Sequence, residues 1–128
     1  MQLGMFLVLV AIIHGLLGLI ALLAPGLATG MFGITVDTVG TTLIRLLGAT
    51  LLGTAAIFWF ARTLIAADVL KAVLIGGFVI SGLSLIIAVF ALTNGIIGPR
   101  GWIGVAGRSV LTLGFGYFAF VKQPASRI

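Results

Sequence analysis

The sequence predicts an all-α protein, a bundle of four transmembrane helices in a single membrane domain over residues 1–128. Of its 128 residues, 62% are hydrophobic and only 7% are charged, whereas a soluble domain carries about 25% charged residues. The apolar residues also form four nearly continuous runs, at residues 3–24, 41–61, 72–93 and 103–121. Each run is close to the roughly 20 residues that a helix needs to cross a bilayer.

The runs are predicted as helices because lipid offers no partner for an open strand edge, and a barrel would show alternating segments of about 10 residues. The first run lacks the basic flank of a signal peptide, which predicts a retained span. Short connections predict an up-and-down order with both termini on the same side. Asp37 or Thr38 is expected to cap the second helix, and Asp68 the third. Aromatic residues at run ends, such as Trp59, Trp102 and Phe118, predict interfacial belts.

The basic residues predict an orientation. The side that holds the termini has four of them, and the other side has three: Arg62, Lys71, Lys122 and Arg127 against Arg45, Arg100 and Arg108. Because the more basic side usually stays in the cytoplasm, both termini are predicted to be cytoplasmic. The net charge of +5 is spread over helix ends and loops, which argues against binding of nucleic acid.

Small residues recur at helical spacing in all four runs. In lipid, helices pack where small side chains let their backbones approach. Such seams in every run favour a homo-oligomer or a larger membrane complex beside packing within the chain. The predicted packing positions are Gly15, Gly18, Gly48, Gly77, Ser81, Ser84 and Gly116, with Gly53 on the second run.

His14 is the one titratable residue near the middle of a run. An ionisable group at that depth is a candidate functional residue because its burial is expensive. One interpretation is a hydrogen bond to a hydroxyl of a neighbouring helix. The other is axial ligation of a haem or a chlorophyll-type pigment, with Gly15 and Gly18 leaving room for the macrocycle. The hydroxyls considered as hydrogen-bond partners of His14 are those of Thr50, Thr54, Ser81 and Ser84.

Arg45 and Arg108 each lie near the start of a run. They are predicted either to snorkel to the headgroups or to contact an anionic ligand or lipid. Asp37 and Asp68 are the only acids, and both fall outside the runs. The lack of an embedded carboxylate disfavours proton-coupled antiport of the small multidrug-resistance type. No catalytic set, metal site or cysteine is present in the sequence, which predicts a protein that is not an enzyme.

Three segments carry a family resemblance. They are GLLGLIALLAPGLATGMFGI at 15–34, LIRLLGATLLGTAAIFWFAR at 43–62 and GWIGVAGRSVLTLGFGYF at 101–118. Together they resemble small bacterial four-helix membrane proteins of unknown function, in the broad DoxX-like neighbourhood. The resemblance implies an integral protein of the bacterial cytoplasmic membrane with no assigned chemistry.

Three functions follow as hypotheses. The first is a non-enzymatic accessory or structural subunit that packs against copies of itself or within a larger membrane complex. The second is a subunit that binds a pigment or haem through His14. The third is a pathway for small solutes or ions, lined by the hydroxyls of the spans: Thr50, Thr54, Ser81, Ser84, Ser109 and Thr112.

Overall fold

The computed structural model describes residues 2–124, and its long helices follow the apolar runs. Within those residues the structure contains helices and no strand, so the all-α prediction is confirmed. A short helix, α2, lies between the first two long ones, and α5 runs on into a π-helical turn at Tyr117–Val121. The elements are α1 (Leu3–Leu23), α2 (Pro25–Gly30), α3 (Thr38–Ala61), α4 (Ala67–Thr93) and α5 (Gly101–Gly116).

Four of these helices are long and apolar enough to cross a membrane, counting α5 together with its π-helical turn. This indicates an integral membrane protein. Arg127, which enters the predicted orientation, lies outside the described residues.

The starts of α3 and α4 test the predicted caps. Asp37 is the N-cap of α3, and its carboxylate accepts a hydrogen bond of 2.8 Å from the backbone N–H of Gly40. The prediction for Asp68 is wrong, because Ala66 is the N-cap of α4 and Asp68 lies in the first turn. A carboxylate there still interacts favourably with the positive end of the helix dipole. The helix α4 begins at Ala67, two residues before the start that a cap at Asp68 predicts.

The bundle is built from two helix pairs, α1 with α3 and α4 with α5. In the first pair the backbones touch at Gly18 and Gly48. A Cβ added at Gly48 would lie 2.6 Å from the amide nitrogen of Leu22, which is a steric clash. In the second pair, the ring of Phe115 occupies the place that a Cβ on Gly77 would take.

A cluster of phenylalanines joins the two pairs. The ring of Phe6 on α1 meets Phe115 edge-on, with centroids 5.0 Å apart, and lies 5.2 Å from Phe118. Phe58 of α3 stacks at a tilt on Phe115, 5.1 Å away. Since Phe6 is near the start of α1 and Phe118 is near the end of the chain, both described ends lie at one end of the bundle. Phe118 is 3% exposed, so its assignment to an interfacial belt was wrong.

Candidate functional site

His14 lies nine residues before the end of α1 and is half-buried. Its Nδ1 donates a hydrogen bond of 2.9 Å to the carbonyl oxygen of Val10, one turn earlier. The edge of its ring meets Phe58, with centroids 5.7 Å apart. The imidazole is therefore oriented by its own helix and by one aromatic neighbour on α3.

The predicted hydroxyl partners of His14 were wrong. Thr50, Thr54 and Ser81 each donate to a carbonyl of their own helix, four residues earlier. Serine and threonine side chains in helices commonly bond back in this way. Because the backbone carbonyl of Val10 accepts the hydrogen bond of Nδ1, no hydroxyl of another helix is needed to pair that nitrogen.

The space predicted beside Gly15 and Gly18 for a macrocycle is taken by α3. A Cβ on Gly18 would lie 2.9 Å from the carbonyl oxygen of Gly48, and one on Gly15 would lie 3.8 Å from Cβ of Ala55. These glycines therefore serve helix packing on that side of α1.

Arg45 and Arg108 occupy matching depths in the bundle. Each is seven residues beyond the first residue of its helix, and α3 and α5 begin at the same end. Arg45 is exposed on the outside of the bundle, whereas Arg108 is half-buried. The guanidinium of Arg108 donates to the carbonyl oxygen of Gly104 at 3.2 Å.

Phe32, in the connection between α2 and α3, covers this region from the end of the bundle. Its carbonyl oxygen accepts a hydrogen bond of 3.2 Å from the backbone N–H of Gly98. Its ring carbon Cε1 is 3.5 Å from the Cβ position of Gly104. Phe32 therefore packs over the turn of α5 that carries Arg108.

The structure divides the small residues into two groups. Gly18, Gly48 and Gly77 lie in tight contacts within the chain, and the Cβ position of Gly116 is 3.2 Å from the ring of Phe78. Ser81 is buried and Ser84 is half-buried on α4. In contrast, a Cβ added at Gly53, Gly76 or Gly107 would meet nothing within 4 Å.

One open glycine belongs to a longer stripe. On α3, Ala49, Gly53 and Ala56 are spaced by four and three residues, which places them on one face, and all three are exposed. We call this set the α3 outer face. Gly53 was identified from the sequence, but Ala49 and Ala56 were missed, although their spacing carried the signal.

The hydroxyls predicted to line a pathway lie on different faces of the bundle. Thr50 is exposed on the outside, whereas Ser81 is buried between helices. Ser109 and Thr112 donate to the carbonyls of Val105 and Arg108 in their own helix. Within residues 2–124 there is also no group of three side chains that could hold a metal ion.

Comparison with known proteins gives one match. A family model described as a domain of unknown function, DUF8292, matches residues 8–126. No curated protein and no solved structure matches the chain. The matched region holds His14, Arg45, Arg108 and the α3 outer face. Because the match covers most of the chain, the chain belongs to the DUF8292 family.

Proposed function

We propose that this protein is a non-enzymatic structural or accessory subunit of a membrane protein complex. It associates with a second copy of itself or with another membrane protein through the α3 outer face. The observation that carries the proposal is the open space at Gly53, in the middle of an exposed stripe of small residues. Close backbone contact at small residues already joins α1 to α3 at Gly18 and Gly48.

Association of helices in lipid depends on close contact. Apolar side chains gain little from leaving lipid for another apolar surface, so helices associate where small residues permit close van der Waals contact. At Ala49, Gly53 and Ala56 the small, exposed residues leave the backbone of α3 open to a partner. The large exposed residues Leu46 and Phe60, 60% and 69% exposed, lie at the two ends of this stripe on the same face of α3.

The membrane and the orientation proposed for the protein come from the sequence. The DoxX-like resemblance supports a bacterial cytoplasmic membrane. The greater number of basic residues beside the termini supports a cytoplasmic location for both ends. The serine and threonine hydroxyls that bond back to their own helices support a packing role over catalysis.

Detergent extraction followed by measurement of particle mass tests the proposal. We expect wild-type protein to elute as an oligomer or a complex, and Gly53→Leu to elute as a monomer. Gly107→Leu is the matched control, since Gly107 is also open but lies between the large exposed Ile103 and Val110. A wild-type particle that is monomeric and without a partner in mild detergent and in lipid would overturn the proposal.

Pigment binding is a second candidate because of one observation at His14. With Nδ1 bonded to the carbonyl of Val10, Nε2 is the nitrogen left for a ligand, and such a bond orients metal-ligating histidines. An absorption spectrum of protein purified from its native membrane tests this candidate. A preparation with neither a Soret nor a chlorophyll band would remove it.

A further inference from the structure

Two hollows lie end to end on the outer flank of the α1–α3 pair, towards the end that holds the termini. The first has a volume of about 330 Å³ and lies between Gly4, Met5 and Val8 of α1 and the end of α3 at Arg62 and Thr63. The second continues along the same two helices. Because α1 and α3 are antiparallel, the two shallow hollows follow one another along the outside of the pair and together form one open groove.

The second hollow, about 290 Å³ in volume, is apolar throughout. Ala11 and Ala55 form its floor, and both are nearly buried. Its walls are Ile12 on one side and Trp59 and Phe60 on the other. A floor of alanines between tall apolar walls suits an extended hydrocarbon chain.

Arg62 supplies a fixed positive charge at the mouth of the groove. Its guanidinium carbon lies 3.9 Å from the centre of the Trp59 ring, a cation–π contact. Its Nε donates a hydrogen bond of 2.9 Å to the carbonyl oxygen of Trp59. These contacts hold the side chain while its terminal N–H groups remain as donors for an anion, which an arginine binds well.

The charge and the apolar hollow are separated by the right depth. Arg62 directly follows the last residue of α3, the level at which headgroups lie. Ala55 is seven residues earlier, which is roughly 10 Å deeper at 1.5 Å per residue. The groove thus presents a cation at headgroup level and an open apolar surface below it.

We infer that this groove binds one anionic phospholipid, with its phosphate on Arg62 and an acyl chain along Ala11 and Ala55 between Ile12 and Phe60. The groove adjoins the α3 outer face at Ala56 and Phe60, whereas Ala49 and Gly53 do not line it. Lys71 and Lys122 lie at the same end of the bundle as Arg62. Basic residues beside a span attract an anionic leaflet of the membrane.

Quenching of Trp59 by brominated lipid tests the site. The chain has two tryptophans, so a Trp102→Phe background makes Trp59 the reporter in vesicles of phosphatidylcholine and phosphatidylglycerol. With one lipid brominated at a time, we expect phosphatidylglycerol to occupy the groove with a roughly fivefold preference, as one basic residue confers near an anionic surface. Arg62→Gln should abolish the preference. Arg62→Lys, which keeps the charge, should retain most of it.

Three further measurements distinguish a lipid site at Arg62 from a general attraction of anions to the basic end of the bundle. Lys122→Gln removes a charge at the same end and should leave the preference unchanged. Inorganic phosphate at millimolar concentration should not displace the lipid, because the acyl chain contributes to binding. Gly53→Leu should also leave the preference for phosphatidylglycerol unchanged. This variant therefore distinguishes loss of oligomers from loss of lipid binding. Equal quenching by the two lipids in wild-type protein, or a preference that persists in Arg62→Gln, would overturn the inference.

Discussion

Gly18 of α1 and Gly48 of α3 meet backbone to backbone in the structure. A Cβ on Gly18 would lie 2.9 Å from the carbonyl oxygen of Gly48, and a Cβ on Gly48 would lie 2.8 Å from the carbonyl oxygen of Gly18. The contact is reciprocal and involves main-chain atoms on both sides, so no side-chain rotation can relieve an added methyl group. It sets the separation of the first helix pair.

Gly48→Leu should therefore separate α1 from α3. Insertion of side-chain atoms into a packed contact costs about 1–3 kcal/mol, and more where backbone must move, so we expect a loss near the upper end. Unfolding in detergent, followed by circular dichroism, measures it. Gly76→Leu, at a glycine with open space around its Cβ, is the matched control and should unfold like wild type. Equal stability of the two variants would contradict the packing described here.

Substitutions at Phe115 and Gly77 should have coupled effects on the free energy of unfolding. Phe115→Ala empties the space over Gly77 and removes the ring between Phe6 and Phe58, which we expect to cost about 3 kcal/mol. Gly77→Ala alone should also destabilise, because its methyl group collides with the Phe115 ring. Combined with Phe115→Ala, Gly77→Ala should cost much less. A double-mutant cycle in detergent measures this coupling, and additive losses would speak against the contact. Phe90→Ala, at a 62% exposed ring, is the control.

Asp37→Ala should weaken the start of α3. The carboxylate satisfies the N–H of Gly40 at 2.8 Å, and loss of such a cap costs about 1 kcal/mol. Asp37→Asn should keep most of the stability, since its side-chain oxygen accepts the same bond. Hydrogen exchange at the first turn of α3 measures the change. Unchanged protection in Asp37→Ala would show that the cap contributes nothing.

Arg108→Leu should leave the fold intact and raise its stability by about 1 kcal/mol. A charged side chain deep in a span costs about 2.5–3.5 kcal/mol, and the bond of Arg108 to Gly104 offsets only part of this. Arg45→Leu is the comparison. Arg45 is exposed at the same depth and free to snorkel, so we expect a change within about 0.5 kcal/mol. A marked loss of stability in Arg108→Leu, measured by unfolding in detergent, would show that the guanidinium has a stabilising partner.

The long helices could be predicted from the sequence because a continuous apolar run of about 20 residues has few other structures available in lipid. The start of α4 was predicted two residues late, because Asp68 was expected to be the cap and instead lies in the first turn. At headgroup level charged residues are tolerated in a helix, so the chain becomes helical from Ala67.

Pairing of helices could not be predicted, because it depends on how each helix is rotated. Gly48 and Gly53 are only five residues apart, yet one is buried against α1 and the other is open. Likewise Phe118 enters the core while Tyr117 and Phe120 are exposed. Composition and spacing place such residues on faces, but the choice of partner for each face is a property of the whole bundle.

The most direct test of the proposed function is the number of chains per particle in a bilayer, counted by single-molecule photobleaching at low protein density. We expect two or more copies for wild type, or co-localisation with a partner in native membrane. We expect single copies for Gly53→Leu and wild-type behaviour for Gly107→Leu. Single copies of the wild-type protein without a partner, or oligomers that persist in Gly53→Leu, would contradict association through the α3 outer face.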